Sequence, residues 1–266
     1  MNHLLRESAP ISDTGWDLLD QEARERLLPA LAARKLVDFA GPLGWDHSAT
    51  NLGRVEALEA APTEGVTGLR RRVQPLVELR ADFEISRAEL RDGDRGAEDV
   101  DLGPLDSAAH QIAVAENIAV FHGWQEAIRG ITEVSPQKAG KLGPTADKYP
   151  APVARAVEQL LSNGIEGPYG LALGREQYRR VAETAEHGGY PLLDHLRKIL
   201  DGPIVWAPGV EGAVVLSLRG GDFLFESGQD LSIGYLTHDA DVVALYLEES
   251  FSFRVATVEA AVALAP

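Results

Sequence analysis

From Val77 to Ile85 the chain reads Val-Glu-Leu-Arg-Ala-Asp-Phe-Glu-Ile, apolar and polar in strict alternation. A two-residue period puts every apolar side chain on one face of a strand, so this segment predicts a strand with one buried face. The same period recurs near the C-terminus. Val243, Leu245, Leu247, Phe251, Phe253 and Val255 keep one parity, while Glu248, Ser250, Ser252 and Arg254 keep the other. Ahead of the first alternation a weaker strand is expected at 54–58, and the intervening AAPTEGVTG has turn-forming composition. Two strands joined by a long polar tip predict a protruding hairpin arm over 50–86. An isolated hairpin is marginal in water, so such an arm calls for a surface to lie on.

Elsewhere the period is that of a helix. Trp16, Leu19, Ala23, Leu27, Ala30 and Leu31 recur at three- and four-residue steps, predicting an amphipathic helix over 12–36 capped by Ser12 or Asp13. Pro29 lacks an amide proton and crowds the preceding turn, so a kink is expected there. Ile112, Ala115, Ala119 and Ile128 place a second helix over 105–129. Shorter helices are expected at 150–163, at 175–186 and through PLLDHLRKIL. GPYGLALG, IVWAP and GAVVLSL read as short strands, and the polar EVSPQKAGKLGPTADKYP as a boundary between subdomains. The fold class is α+β, without internal repeats.

Composition narrows the function. The 266 residues, 45% of them hydrophobic, suffice for a sizeable core. A net charge of −16 opposes a nucleic-acid surface, and Arg70-Arg71-Arg72 is too short a basic run to reverse it. The absence of cysteine removes disulfides and thiolate chemistry, which fits a reducing cytoplasm. No run is apolar enough to span a bilayer, and the first residues lack a secretion-signal layout.

Chemical motifs are sparse. The seven histidines show no metal-ligand spacing, so no metal site is expected. RDGDRGAEDVD at 91–101 misses the calcium-loop pattern because Gly96 stands where an acid belongs, and a solvated acidic turn is expected. No nucleophile elbow occurs, and no catalytic residue is assigned. The glycine-rich RGGDFLFESGQDLSIGY at 219–235 is followed by strand rather than helix, which argues against a phosphate cradle.

Five blocks, taken in order, carry a resemblance: RESAPIS at 6–12, LAARKLVDFAGPLGW at 31–45, PLVELRADFEIS at 75–86, GIEGPYGLALG at 164–174, and RGGDFLFESGQDLSIGY with its downstream strand. Together they resemble the classical encapsulin shell proteins, also described as linocin-like bacteriocins, over almost the whole chain. The resemblance implies the fold of a tailed-phage major capsid protein. A peripheral domain would comprise 1–49, 87–134 and 223–266, an extended loop 50–86, and an axial domain 135–222. It also implies assembly of about 60 copies into a closed icosahedral shell in the bacterial cytoplasm. Inside, a dye-decolorising peroxidase or a ferritin-like protein would be held through a C-terminal targeting peptide.

The groove implied for that peptide maps onto Leu28, Leu31, Arg34, Asp38, Asp230, Ile233 and Tyr235, with Arg34 and Asp38 as charged partners of the tail. Glu186, His187, Gly188 and Gly189 correspond to the rim of a five-fold pore. Some relatives bind a flavin on a tryptophan; Ala88 stands in the corresponding stretch, so no cofactor is expected. Two other readings are a phage-type capsid protein packaging DNA, which the acidic balance opposes, and a protease or bacteriocin, which lacks a nucleophile–base pair.

Overall fold

A computed structural model describes residues 3–185 and 189–266, apart from the side chains of residues 138 and 139. The first helix, α1 (Asp13–Ala30), starts where the Ser12 hydroxyl accepts the Gly15 amide, and it buries Trp16, Leu19, Ala23, Leu27 and Ala30 along one stripe. It is shorter than the expected 12–36. Pro29 sits in its last turn, and past Leu31 the chain tightens into a helical turn at Ala33–Lys35 before the short strand β1 (Asp38–Ala40). The side chain of Asn117 stitches this exit together. Its oxygen accepts the Ala32 and Ala33 amides, each at 3.0 Å, and its nitrogen donates to the carbonyls of Ala30 and Pro208.

The arm differs from its expected form. β2 (Ala49–Ala57) pairs antiparallel with β3 (Leu69–Pro75), not with the alternating segment, and the two make a separate ribbon. Both faces of that ribbon are largely exposed, with Val55, Leu69 and Val73 at least half accessible. The LRRRVQP stretch therefore carries no amphipathic period to betray it. β4 (Val77–Ser86), where the alternation lies, instead enters the main sheet and buries Phe83 and Ile85.

Two helices follow, α2 (Arg87–Asp94) and α3 (Gly103–Phe121). The second stops short of the expected 129, because Gly123 takes a positive φ of 92° and its amide returns to the Ile118 carbonyl. Next come α4 (Ile131–Val134), β5 (Lys138–Lys141), α5 (Pro150–Ser162), β6 (Tyr169–Leu173), α6 (Arg175–Glu183), α7 (Leu192–Leu200), β7 (Ile204–Trp206) and β8 (Ala213–Ser217). The chain ends with β9 (Phe223–Ser227), β10 (Ser232–His238), β11 (Val242–Val255) and β12 (Ala261–Ala265).

Among the described residues these strands form two main sheets besides the ribbon. In the first, the 14-residue β11 is flanked by β4 on one side and by β10 and then β9 on the other, with β1 parallel to β9. The second runs β5-β12-β8-β6-β7. The core against the first sheet holds Leu19, Leu27, Leu105, Ile112, Ile233 and Leu245; the larger core of the second reaches Phe225, Phe251 and Phe253. The terminal segment 223–266 thus does not rejoin one body as a unit. Its strands β9 to β11 belong to the first sheet, but β12 crosses to the second and pairs with β8 and β5.

Candidate functional site

The stretch 219–235 is two strands with turns on either side. Gly220 and Gly221, both at positive φ, turn the chain into β9, and the Gly221 amide donates to Asp38 Oδ2 at 2.6 Å. Between β9 and β10 the chain passes from one partner position along β11 to the next. A Cβ at Gly234 would stand 2.1 Å from the ring of Tyr246, so the close approach of β10 to β11 depends on glycine there.

This passage faces the exposed end of α1 across a cleft of about 440 Å³. Leu28, Leu31, Arg34, Asp230 and Ile233, five of the seven expected groove residues, line it together. Their exposures differ greatly. Leu28 is 61% accessible and forms a bare apolar ridge, whereas Leu31 at 7% and Ile233 at 2% contribute mainly to the core beneath. Asp38 is elsewhere, holding the glycine turn beside a separate depression. Tyr235 lies beyond the cleft lining, with its hydroxyl 2.6 Å from His238 Nδ1 and its amide bonded to the Leu4 carbonyl.

Arg34 is not a free partner for an incoming chain. Nε donates to Glu116 Oε2, Nη1 to Asp230 Oδ1 and Nη2 to Glu249 Oε2, all at 2.6 Å. Burial works against its charge, but the three carboxylates together outweigh that and raise its pKa above the ordinary arginine value. Burial likewise pushes Glu116 up despite Arg34, and drives Glu249 well above the usual carboxylate range, with the Glu116 charge adding to the effect. Neither acid was expected here. Both had a signal in the sequence: Glu116 falls on the stripe set by Ile112 and Ala119, and Glu249 on the apolar parity of β11.

Other groups at the cleft were also unexpected. Arg6 pairs with Asp20 at 2.8 Å and lies 4.0 Å over the Trp16 ring. Arg24 lines the same opening, is exposed, and carries no ion pair among the described residues.

Of the expected pore rim, Glu186, His187 and Gly188 lie outside the described residues. Gly189 has a positive φ of 80° with open space around it, next to a bridge between Ala185 and Pro191. Among the described residues no group of three or more His, Cys, Asp or Glu is arranged to hold a metal ion, and no helix is long and apolar enough to cross a membrane.

Residues 1–252 match the family model described as encapsulating protein for peroxidase. The chain belongs to the encapsulin shell-protein family. A type 1 encapsulin shell protein of Rhodospirillum rubrum is 49% identical over 99% of this chain and 96% of its own length. A ferritin-like–encapsulin shell fusion protein of Pyrococcus furiosus is 24% identical over 76% of this chain and 56% of its own. Among solved structures, a virus-like particle from Pyrococcus furiosus aligns with a TM-score of 0.65 at 18% identity, over 94% of this chain and 98% of that one. A structure of Mycobacterium phage Bobi aligns at 0.55 and 13% identity, over 89% of this chain and 90% of that one. The encapsulin chain therefore has the α+β fold of tailed-phage capsid proteins, and its role is that of a structural shell subunit rather than an enzyme.

Proposed function

We propose that about 60 copies of this chain close into an icosahedral compartment in the bacterial cytoplasm and hold an enzyme inside it. The enzyme is retained by a C-terminal targeting peptide seated between α1 and the β9–β10 passage. The observation that carries this reading is the cleft itself: an exposed leucine ridge at Leu28 beside an exposed cation, Arg24, with no ion pair among the described residues, above a floor closed by Leu31 and Ile233. A short tail with apolar anchors and an acidic group or terminal carboxylate fits that chemistry, as helical or extended peptides fit apolar grooves elsewhere. Arg24 takes the role expected of Arg34 and Asp38, since Arg34 is consumed by three carboxylates and Asp38 lies outside the cleft.

The cargo classes this reading favours are a dye-decolorising peroxidase, in keeping with the wording of the family description, and a ferritin-like protein, in keeping with the fusion relative. Glu186, His187, Gly188 and Gly189 would then rim the five-fold opening, and no flavin or nucleic acid is required. The test is Leu28→Glu, a change at an exposed position that leaves the core untouched. Shells co-expressed with a tailed peroxidase should assemble normally and lose most of their cargo, read as the cargo-to-shell ratio on a denaturing gel. Unchanged loading in intact Leu28→Glu shells would remove the cleft from consideration.

A further inference from the structure

The cluster under the cleft has an imbalance of hydrogen-bond donors. Glu116 and Glu249 each place Oε2 on Arg34 and leave Oε1 buried with no donor. Both residues are almost inaccessible, at 0% and 2%. Their carboxyls also lie within hydrogen-bond reach of each other. If both were ionised, two buried oxygen atoms would stay without a donor, and one guanidinium would face two buried negative charges besides Asp230. Each of those features is costly. A single proton shared between the two carboxyls relieves both, since a protonated carboxyl donates where a carboxylate only accepts.

Among the described residues no other ionisable group is placed to compensate. Arg34 enters from the turn after α1, Glu116 from α3, Glu249 from β11 and Asp230 from the β9–β10 passage. The next acid of β11, Glu248, points to the opposite face and meets His3, while Glu226 of β9 bonds His47 and Thr50. Asn117, beside Glu116, spends its amide on backbone groups. The rings of Phe39 and Phe225, 5.1 Å and 5.5 Å from the guanidinium, cover Arg34.

We propose that Glu116 and Glu249 hold one proton between them in the folded subunit, and that this proton keeps Arg34 braced against Asp230 at the cleft. With the proton present, Arg34 and the remaining carboxylate are balanced and the third arm of Arg34 is free to hold Asp230. Without it, two buried carboxylates repel each other and compete for the same guanidinium. Burial raises both acids, so the stabilisation is complete below the ordinary carboxylate value and is lost as pH rises through the higher folded value. The cleft is thus loosened as pH rises through that folded value. The consequence for cargo rests on the proposed function above; the existence of the proton does not.

Isotope-edited infrared spectroscopy of assembled shells with ¹³C-carboxyl glutamate separates the two claims. At neutral pH the wild type should show a protonated-carboxyl band that disappears on raising the pH and is missing from Glu249→Gln and from Glu116→Gln, where an amide supplies the donor. The companion measurement follows co-purified peroxidase retained by the shells across the same pH range. Wild-type retention should weaken by up to about tenfold in binding constant per pH unit, the limit for one proton, and the variant profile should be flat. No excess band in the wild type at neutral pH overturns the shared proton. A band with identical retention profiles in wild type and variants overturns the brace. Shells that show the band yet retain no cargo at any pH uphold the proton and count against the cleft as the cargo site.

Discussion

Replacing Arg34 by alanine distinguishes a structural ion cluster from a cargo contact. The substitution removes the counterion of Glu116 and Glu249, whose side chains are 0% and 1% accessible, while Asp230 at 41% keeps water as an alternative partner. Breaking a buried pair by deleting one member costs about 3–5 kcal/mol, because the surviving charge has nowhere to go. Asp230 adds little, since an ion pair so exposed is worth at most about 1 kcal/mol. Against a total of about 5–15 kcal/mol for an ordinary domain, the loss is severe. For a chain of this size each kcal/mol moves the unfolding temperature by about 2–4 °C, so the subunit should unfold at least about 6 °C lower.

The assay is soluble yield and thermal unfolding of purified shells at fixed pH and protein concentration, with Asp230→Asn as the mild control. A triple replacement, Arg34→Met with Glu116→Leu and Glu249→Leu, should recover most of the lost stability, because an apolar set of similar volume needs no counterion. Arg34→Ala shells that assemble empty of cargo, yet unfold at the wild-type temperature, would refute the cluster and restore Arg34 as a contact for the tail.

Deleting residues 59–68, the tip of the β2–β3 ribbon, should leave subunit secondary structure intact and shift the protein from shells to small species on size-exclusion chromatography with light scattering. Gly234→Ala should lower the unfolding temperature, because its methyl group meets the Tyr246 ring at 2.1 Å and β10 cannot move away without leaving β11. Burial lowers the pKa of His122 although the Glu211 charge opposes the shift, and its Nε2 accepts the Glu211 amide at 3.0 Å. Its contribution is complete above the ordinary value of about 6.5 and is lost as pH falls toward the folded value. Thermal unfolding between neutral and acidic pH should therefore fall more steeply in the wild type than in His122→Gln.

What could be read in advance followed from one-sided burial. β4 and β11 each set one face against a core and one toward polar surroundings, so their period of two is written into the residues. α1 shows its stripe for the same reason. β3 buries neither face, and nothing in LRRRVQP records that it is a strand. The result was an arm assigned to the wrong pair. The exchange of β12 into the second sheet was hidden for a different cause. Which strand AVALA pairs with depends on contacts to β8 and β5, more than forty residues away, and its own apolar pattern suits either sheet.

The same reasoning explains why the cleft was half legible. Leu28 and Ile233 are apolar residues beside a glycine-rich passage, and their juxtaposition follows once α1 and β10 pack on opposite walls. The charged floor required a different inference. An acid on an apolar stripe, as at Glu116, or on an apolar parity, as at Glu249, faces a desolvation cost that a proton or a partner from another element must offset. The pattern marks both acids as in need of a proton or a cation, and names neither. Arg24, Arg26 and Arg34 all lie on or just after α1. Helix geometry sends the first two outward, Arg24 to the cleft opening and Arg26 to Glu22 and Asp106. Arg34 turns inward only because α1 ends at Ala30 and Asn117 pins the next turn against α3. The residue that looked most available to a cargo tail is thus the one whose charge the fold had already used.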